Sequence, residues 1–461
     1  MAILGAFIVP HPPIILPQIG KGKEKDIQNT INGFNQISDI IAKLQPETIV
    51  LVSPHSIMYS NYIHISPGKE ASGNLEQFGV YDYNINVKYD DIFVEALGTL
   101  AKNTGISAGT LGEKNPALDH GTIVPLDFIN KKYQNYKLVR IGLSGLGSLE
   151  HYKFGKLITA ASILLNRKIV FIASGDLSHK LKIEGPYGFS YEGPAFDKQV
   201  TDAMISGDFL KFLTFDESFC EKAAECGLRT FQIMAGALDE ISVKSKLLSY
   251  EGPFGVGYGI ASFEIFGKST NRKFDNILEN IEKNKLEKTK ETEDEYVRLA
   301  RLSLETYIKT NNFAQISENL PKEMLESKAG VFVSIKKHGQ LRGCIGTISP
   351  VESSIAKEIF KNAISAGCRD PRFEPIKMDE LESLVYSVDV LGKTEPIDSK
   401  DKLDVKKYGV IVTNGDKRGL LLPNLDGVDN IDDQISIAKQ KAGINPNEPF
   451  YLERFEVIRH K

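Results

Sequence analysis

The hydrophobic pattern of the first 267 residues alternates short apolar runs with longer amphipathic segments. The runs AILGAFIVP, TIVLVSP, KLVRIGL and KIVFIAS are apolar at consecutive positions and rich in Val and Ile, as strands buried on both faces are. Between them, INGFNQISDIIAKL and EHYKFGKLITAASILLN place apolar residues at helical spacing. This alternation predicts an α/β domain with a mainly parallel central sheet.

A charged stretch, DNILENIEKNKLEKTKETEDEY, interrupts this pattern and carries too little apolar surface to anchor a core. We therefore predict a first domain at 1–267, a charged linker at 268–292 and a second domain at 293–461. In the second domain, EYVRLARLSLETYIKT predicts a helix, and two strands are predicted to join at His338-Gly339. The strand SLVYSVDVLG and a hairpin turning at Asn414-Gly415 follow, so this domain is predicted to be a smaller α+β domain.

Length and composition limit the function classes. The chain has 461 residues, of which 25% are charged and 41% hydrophobic, as in globular proteins. Its net charge of −4 argues against nucleic acid or an anionic membrane as a partner. No apolar stretch approaches the ~18 residues of a membrane span and no secretory signal is recognisable, so we expect a cytoplasmic protein. The four cysteines form no CxxC pair and predict no disulfide framework.

Three of the eight histidines follow predicted strands: His11 in VPHPP, His55 in VSPHS and His179 in SGDLSH. Ligands of open α/β sheets bind outside the carboxyl ends of the strands, so these imidazoles are predicted to converge there. His120, in ALDHGTIVPL, is a fourth candidate, on a loop beside Asp119. Imidazoles gathered at one sheet edge suit either a metal site or acid–base catalysis, and the pattern alone does not choose between them.

The elements PHPP, SPHS, DHGTIVPL and SGDLSH, in this order and spacing, resemble the LigB-type class III extradiol ring-cleavage dioxygenases and the related Memo-like proteins. The resemblance covers about residues 1–267. It implies an oxidoreductase with non-haem Fe(II), or with Zn²⁺ as the alternative metal, acting on a small phenolic or catecholic substrate. In that family two strand-end histidines and one later residue bind the metal, which implies His11 and His55 as ligands. The resemblance further implies His179 as the acid–base residue and His120 as a contact to substrate or oxygen.

The third ligand is where the sequence departs from the ring-cleaving pattern. Ring-cleaving members have Glu in the segment that matches CEKAAECGLRTFQIMAGAL, whereas Memo-like members have Cys before Gly. We favour Cys226, with Glu225 as the alternative; a thiolate ligand would soften the site and admit Zn²⁺ or Cu⁺. Asp176 and Asp119 are expected to fix imidazole tautomers from outside the ligand set.

The second domain resembles the AMMECR-type domain over about residues 290–461, through LRGCIGT, DPRFEPI and GLLLPN. Arg342 and Cys344 alternate on one predicted strand and therefore share a face, which makes them candidates for a cleft. A thiol beside cations is a candidate nucleophile or modification site, and a small buried core residue is the alternative.

The two domains together resemble proteins of the AmmeMemoRadiSam system. That resemblance implies a radical SAM protein as a partner. It also keeps a second function open, in which the first domain is a Memo-like metal-binding redox or adaptor protein without ring cleavage.

Overall fold

The computed structural model describes residues 2–115, 117–337, 339–425 and 428–461. The chain forms two compact units, which divide between Ile281 and Glu282. The segment predicted as a charged linker is largely helical, because one helix spans Asp275–Thr292 and contains the division. Leu278 is its one buried residue, as expected for a helix of this polarity.

The first unit combines strands, helices and short 3₁₀ turns. Its strands are β1 (Ile3–Val9), β2 (Thr48–Val52), β3 (Ile63–His64), β4 (Glu70–Leu75), β5 (Val80–Lys88), β6 (Ala108–Gly109), β7 (Lys137–Ile141), β8 (Ile169–Ser174), β9 (Ile241–Glu251) and β10 (Tyr258–Lys268). Its helices are α1 (Pro17–Gly20), α2 (Gln28–Leu44), α3 (Asp91–Thr104), α4 (His120–Asn130), α5 (Ser148–Leu164), α6 (Glu192–Ser206), α7 (Phe209–Leu213), α8 (Glu217–Ala223), α9 (Leu228–Ala237) and α10 (Asp275–Thr292).

The central sheet has the strand order β7-β2-β8-β1-β10-β9. The first four strands are parallel, and β10 pairs antiparallel with both β1 and β9, so the prediction of a mainly parallel sheet is confirmed. All residues of β2 and β8 are buried, because hydrophobic cores cover both faces of the sheet. Val9 lies opposite Ser174, and Val52 lies opposite Ala173. The strands β1, β2 and β8 therefore end together at one edge.

The second unit is an α+β domain, as predicted. Its strands are β11 (Val331–Lys337), β12 (Gln340–Gly346), β13 (Leu384–Leu391), β14 (Glu395–Ile397), β15 (Tyr408–Asn414), β16 (Lys417–Leu421) and β17 (Tyr451–His460). Its helices, after the end of α10, are α11 (Glu295–Thr310), α12 (Lys322–Glu326), α13 (Ile355–Cys368) and α14 (Ile431–Ala442).

The sheet of the second unit is antiparallel, in the order β12-β11-β13-β17-β15-β16, with β14 also paired to β17. The predicted hairpin joins β15 to β16, and Gly415 has the positive φ of +58° that such a turn requires. The predicted turn between β11 and β12 includes His338, which lies outside the described residues. Across the described part of the chain, no helix has both the length and the apolarity to span a membrane.

Candidate metal centre

His11 is buried just beyond the carboxyl end of β1, which ends at Val9 before Pro10. Its backbone N–H donates to the carboxylate of Asp176, with 2.8 Å between the atoms. Its ring Nδ1 lies 2.9 Å from Oγ of Ser174, the last residue of β8. A ring contact from the last residue of β8 and a backbone contact from Asp176, two residues beyond it, therefore hold His11 at the edge of the sheet.

Three potential ligand atoms meet at this edge. Nε2 of His55 lies 2.9 Å from Nε2 of His11, and Sγ of Cys226 lies 3.7 Å from the same nitrogen. The ligand atoms of the three side chains are all within 4.8 Å of one another, and among the described residues they form the one group that could hold a metal ion in this way. The structure thus brings together the three residues that the sequence predicts as ligands.

Cys226 reaches this edge through a contact between two glycines. Gly175 follows β8 and Gly227 follows Cys226, and a Cβ added to Gly175 would lie 2.2 Å from Cα of Gly227. A side chain at Gly175 would therefore push the two backbones apart. The close approach of these segments is what places the thiol beside His11.

His120 is the first residue of α4, and its ring lies against His55 with 4.0 Å between the centroids. The carboxylate of Asp119 caps this helix, because it accepts hydrogen bonds from both the backbone N–H and the hydroxyl of Thr122, each at 3.0 Å. Phe78 covers another side of His120, with 5.6 Å between the ring centroids. Local capping therefore fixes the start of the helix that presents His120 to the cluster.

The two aspartates that were predicted to hold ring tautomers have other partners in the structure. Asp119 is the helix cap, and Asp176 bonds to His11 through the main chain, while its Oδ2 lies 3.9 Å from Nε2 of the ring. Nδ1 of the His11 ring instead contacts the hydroxyl of Ser174, a residue that the sequence does not mark as part of the site. The SGDLSH motif contains Ser174, but its partner is set by tertiary contact, and no local signal marks it.

His179 lies in the same region but outside the close group of three. Its Nδ1 is hydrogen-bonded to the carbonyl oxygen of Ala224, which ends α8 in a left-handed conformation. The ring of Tyr187 lies 5.1 Å from that of His179, measured between centroids. The sequence predicts the position of His179 but not these two neighbours.

The surroundings favour neutral imidazoles. Burial, followed by the neighbouring His55, His120 and His179, holds the pKa of His11 well below its usual value. Burial and then His55 lower the pKa of His120 to about 4. Burial also lowers the pKa of His179. The cluster is therefore uncharged near neutral pH, which is the form of histidine that binds metals.

The two candidates for a third ligand differ in what they contact. Burial, with Asp176 and Glu225 nearby, raises the pKa of the Cys226 thiol well above its usual value, so only a bound cation would keep it as a thiolate. The carboxylate of Glu225 accepts a hydrogen bond of 2.6 Å from the backbone N–H of Leu228 at the start of α9. The carboxylate of Glu225 is thus engaged with the backbone at the start of α9, whereas the sulfur of Cys226 lies beside His11.

A cavity of about 300 Å³ adjoins the cluster. It reaches His55 and Asp119, and the other residues that line it are Ser56, Ile57, Met58, Glu113, Asn115, Ala117 and Arg140. This volume lies at the small end of the range for ligand pockets, so the centre has room beside it for a small organic molecule.

The candidates of the second domain have local partners. Arg342 donates to both carboxylate oxygens of Glu380, at 2.8 and 3.1 Å, and to the carbonyl oxygen of Glu374 at 2.7 Å. The sulfur of Cys344 accepts a hydrogen bond of 3.2 Å from the hydroxyl of Ser334. Both residues lie on the edge strand β12, and both are held by neighbours within the same domain.

Comparison with known proteins gives two family matches. The model of the catalytic LigB subunit of aromatic ring-opening dioxygenase matches residues 5–261, and the AMMECR1 model matches residues 297–460. Protein CA_C1420 of Clostridium acetobutylicum is 43% identical over 469 residues, and the alignment covers 100% of both chains. A protein of Thermotoga maritima is 44% identical over 171 residues, which are 37% of this chain and 98% of its own.

Solved structures also resemble parts of the chain. Protein PH0010 from Pyrococcus horikoshii aligns at 32% identity with a TM-score of 0.34, over 36% of this chain and 88% of that one. The family matches and the full-length relative confirm the resemblance inferred from the motifs. The chain therefore belongs to the family of the catalytic LigB subunit of aromatic ring-opening dioxygenase, and it carries an AMMECR1 domain in its second half.

Proposed function

We propose that the first domain is a non-haem metal-dependent oxidoreductase of the extradiol dioxygenase type, with Fe(II) as its metal and a phenolic or catecholic compound as its substrate. The observation that carries this proposal is the convergence of His11, His55 and Cys226, whose ligand atoms lie within 4.8 Å of one another. Membership of the LigB family supports the reaction class.

The donor set fits a metal ion. The two Nε2 atoms of His11 and His55 are 2.9 Å apart, close enough for one cation to contact both nitrogens. Imidazole nitrogen and thiolate sulfur both bind first-row divalent metals. These three residues would hold the ion, while His120 and His179 stay beside it.

Bound Fe(II) would supply a Lewis-acidic and redox-active centre with open positions for other ligands. The protein's own contribution is proton handling by His179. Its Nδ1 must donate to the Ala224 carbonyl, because a carbonyl oxygen only accepts, so Nε2 carries the lone pair. That nitrogen is neutral near pH 7, so it can take a proton from a substrate hydroxyl and later return it.

His120 has a different role in this proposal. It is the first residue of α4 and lies against His55, which lines the adjoining cavity, and its low pKa keeps it uncharged. A neutral imidazole can donate one hydrogen bond to a substrate oxygen. We therefore assign His120 to substrate contact rather than to metal binding.

A second candidate function follows from the nature of the third ligand. Cys226 places a thiol where ring-cleaving relatives are expected to have a carboxylate, and a thiolate ligand favours softer metals. In this alternative the domain is a Memo-like metal-binding redox or adaptor protein that does not cleave rings and acts with a radical SAM partner.

Oxygen uptake separates the two candidates. Protein purified without oxygen would be loaded with Fe(II) or with Zn²⁺ and mixed with catechol or substituted catechols. We expect catechol-dependent oxygen consumption and a new absorbing product with Fe(II) only, and none in the His11→Ala variant. Stoichiometric Fe(II) binding without oxygen uptake on any of these compounds would reject ring cleavage and favour the second candidate.

A further inference from the structure

The hydroxyl of Ser174 lies between two groups at the edge of the sheet. Its Oγ is 2.6 Å from the carbonyl oxygen of Gly121 and 2.9 Å from Nδ1 of His11, and the residue is fully buried. A carbonyl oxygen can only accept, so the hydroxyl proton goes to Gly121. The oxygen of Ser174 is then left to accept the hydrogen bond from His11.

We propose that Ser174 is a positioning residue that holds His11 in its Nδ1–H tautomer. A neutral imidazole carries a single proton, so a proton on Nδ1 leaves a lone pair on Nε2. That nitrogen is the one that lies next to His55 and Cys226. The functional role of this tautomer rests on the proposed metal centre, whereas the hydrogen bonds that fix it involve only protein groups.

The pairing of the two histidines constrains the tautomers further. Two nitrogens 2.9 Å apart are at hydrogen-bond distance, and one of them must carry a proton when no cation lies between them. Since Ser174 fixes the proton of His11 on Nδ1, the proton between the rings belongs to Nε2 of His55. The two histidines are thus in opposite tautomers, and His11 is already in the tautomer that can bind a metal.

The same hydroxyl also joins three elements, because Ser174 ends β8, His11 follows β1 and Gly121 is the second residue of α4. A Cβ at Gly121 would lie 2.4 Å from Oγ of Ser53, so the start of α4 is packed closely against the strand ends. An experiment therefore has to distinguish a purely structural role of Ser174 from a role in fixing the tautomer of His11. Loss of packing would lower the melting temperature, whereas loss of positioning would move the proton on His11.

Histidine nitrogen NMR measures this proton directly. In metal-free protein labelled with ¹⁵N-histidine, we expect His11 as the Nδ1–H tautomer and His55 as the Nε2–H tautomer. In Ser174→Ala, the signals of His11 should shift toward the Nε2–H form, and the dissociation constant for Co²⁺ should rise by about 10- to 100-fold. Ser174→Thr retains a hydroxyl and should restore the tautomer of the original protein.

Ser162→Ala is the matched control, because Ser162 is also fully buried and its hydroxyl donates to the Arg167 carbonyl at 2.6 Å, without a histidine partner. This variant should keep the tautomer of His11 and the affinity for Co²⁺. An unchanged His11 tautomer in Ser174→Ala would overturn the proposal.

The unsubstituted protein supplies a test that does not depend on how any variant folds. If His11 is in the Nε2–H form in that protein, the proposal is overturned. The tautomers and the metal can be judged separately. The unsubstituted protein could show the expected tautomers and bind no Co²⁺, while Ser174→Ala loses those tautomers. That result would support the role of Ser174 and reject the proposed function.

Discussion

The two domains arrange their candidate residues in opposite ways. In the first, the ligand atoms of His11, His55 and Cys226 face one another, although these residues are 44 and 215 positions apart in the chain. In the second, Arg342 and Cys344 lie on one strand, and neighbouring side chains already bond to them. In the first domain, residues that are distant in the chain therefore converge on one point. In the second domain, the candidate residues are already bonded to local partners.

Under our proposal, this difference separates residues that would bind a metal ion from residues that stabilise the fold. Buried polar atoms are usually paired, because leaving them unpaired costs free energy. The guanidinium of Arg342 is paired with Glu380 within the domain, so we assign it to stability. Three ligand atoms that crowd around one point, in contrast, are best satisfied by a cation between them.

Removing a metal ligand should give the largest effect. We expect His11→Ala and His55→Ala to lose most of their bound metal, with an affinity reduced by more than about 100-fold, because even residues that only support ligands contribute 10- to 100-fold. Metal analysis after anaerobic purification measures this. His460→Ala, in the second domain, is the control and should retain its metal. Full metal content in both His11→Ala and His55→Ala would reject the centre.

Removing His179 should leave the metal in place and reduce turnover. Because His179 lies outside the group of three, we expect His179→Ala to bind metal normally while its turnover with a catechol falls by about 10²- to 10⁴-fold, the usual range for a general acid–base residue. Metal content and turnover would be measured on the same preparation. Loss of metal together with activity would make His179 a ligand and show our assignment to be wrong.

The strand ends at the centre could be predicted because they carry a strong local signal. Apolar runs buried on both faces stop at His11 and at His55, each next to proline, and the carboxyl edge of a parallel sheet gathers such ends. The place of Cys226 could not be derived in the same way, since it depends on the contact between Gly175 and Gly227, and no local pattern encodes that contact.

Other features were missed for similar reasons. Ser174 and the carbonyl of Ala224 act through tertiary hydrogen bonds to rings, and a serine or a backbone carbonyl has no signature in the sequence. Strand β9 mixes lysines with apolar residues because it forms an edge of the sheet, so its pattern resembles that of a surface segment. The buried strands β1, β2, β7 and β8 and the helices α2, α5 and α11 were predicted, whereas contacts between distant segments were not.

The third ligand can be identified by spectroscopy with Co²⁺. If Cys226 binds the metal, the Co²⁺ protein should show an intense sulfur-to-metal charge-transfer band in the near ultraviolet, and Cys226→Ser should lose it. Glu225→Gln should keep the band, because the amide oxygen can still accept the bond from Leu228. The absence of the band in the unsubstituted protein would exclude a thiolate ligand and direct attention to Glu225.

Arg342 should affect only the stability of its own domain, and this is the smallest effect we expect. The side chains of Arg342 and Glu380 are 17% and 13% exposed, so Arg342→Ala should lower the free energy of unfolding by about 1–3 kcal/mol without changing metal content. Although burial acts to raise the pKa of Glu380, its bonds to Arg342 and Lys337 lower it to about 2. The stabilisation is therefore complete above the ordinary carboxyl pKa and is lost as the pH falls toward 2.

Thermal unfolding of Arg342→Ala at several pH values tests this assignment, and Arg418→Ala is its control. Arg418 pairs with Glu453 at a more exposed position, where such a pair contributes at most about 1 kcal/mol. The difference between Arg342→Ala and the unsubstituted protein should be largest near neutral pH and should shrink in acid, because protonated Glu380 no longer pairs with the guanidinium. An Arg342→Ala protein with unchanged melting but lower activity would place Arg342 in a functional site and end the contrast between the two domains.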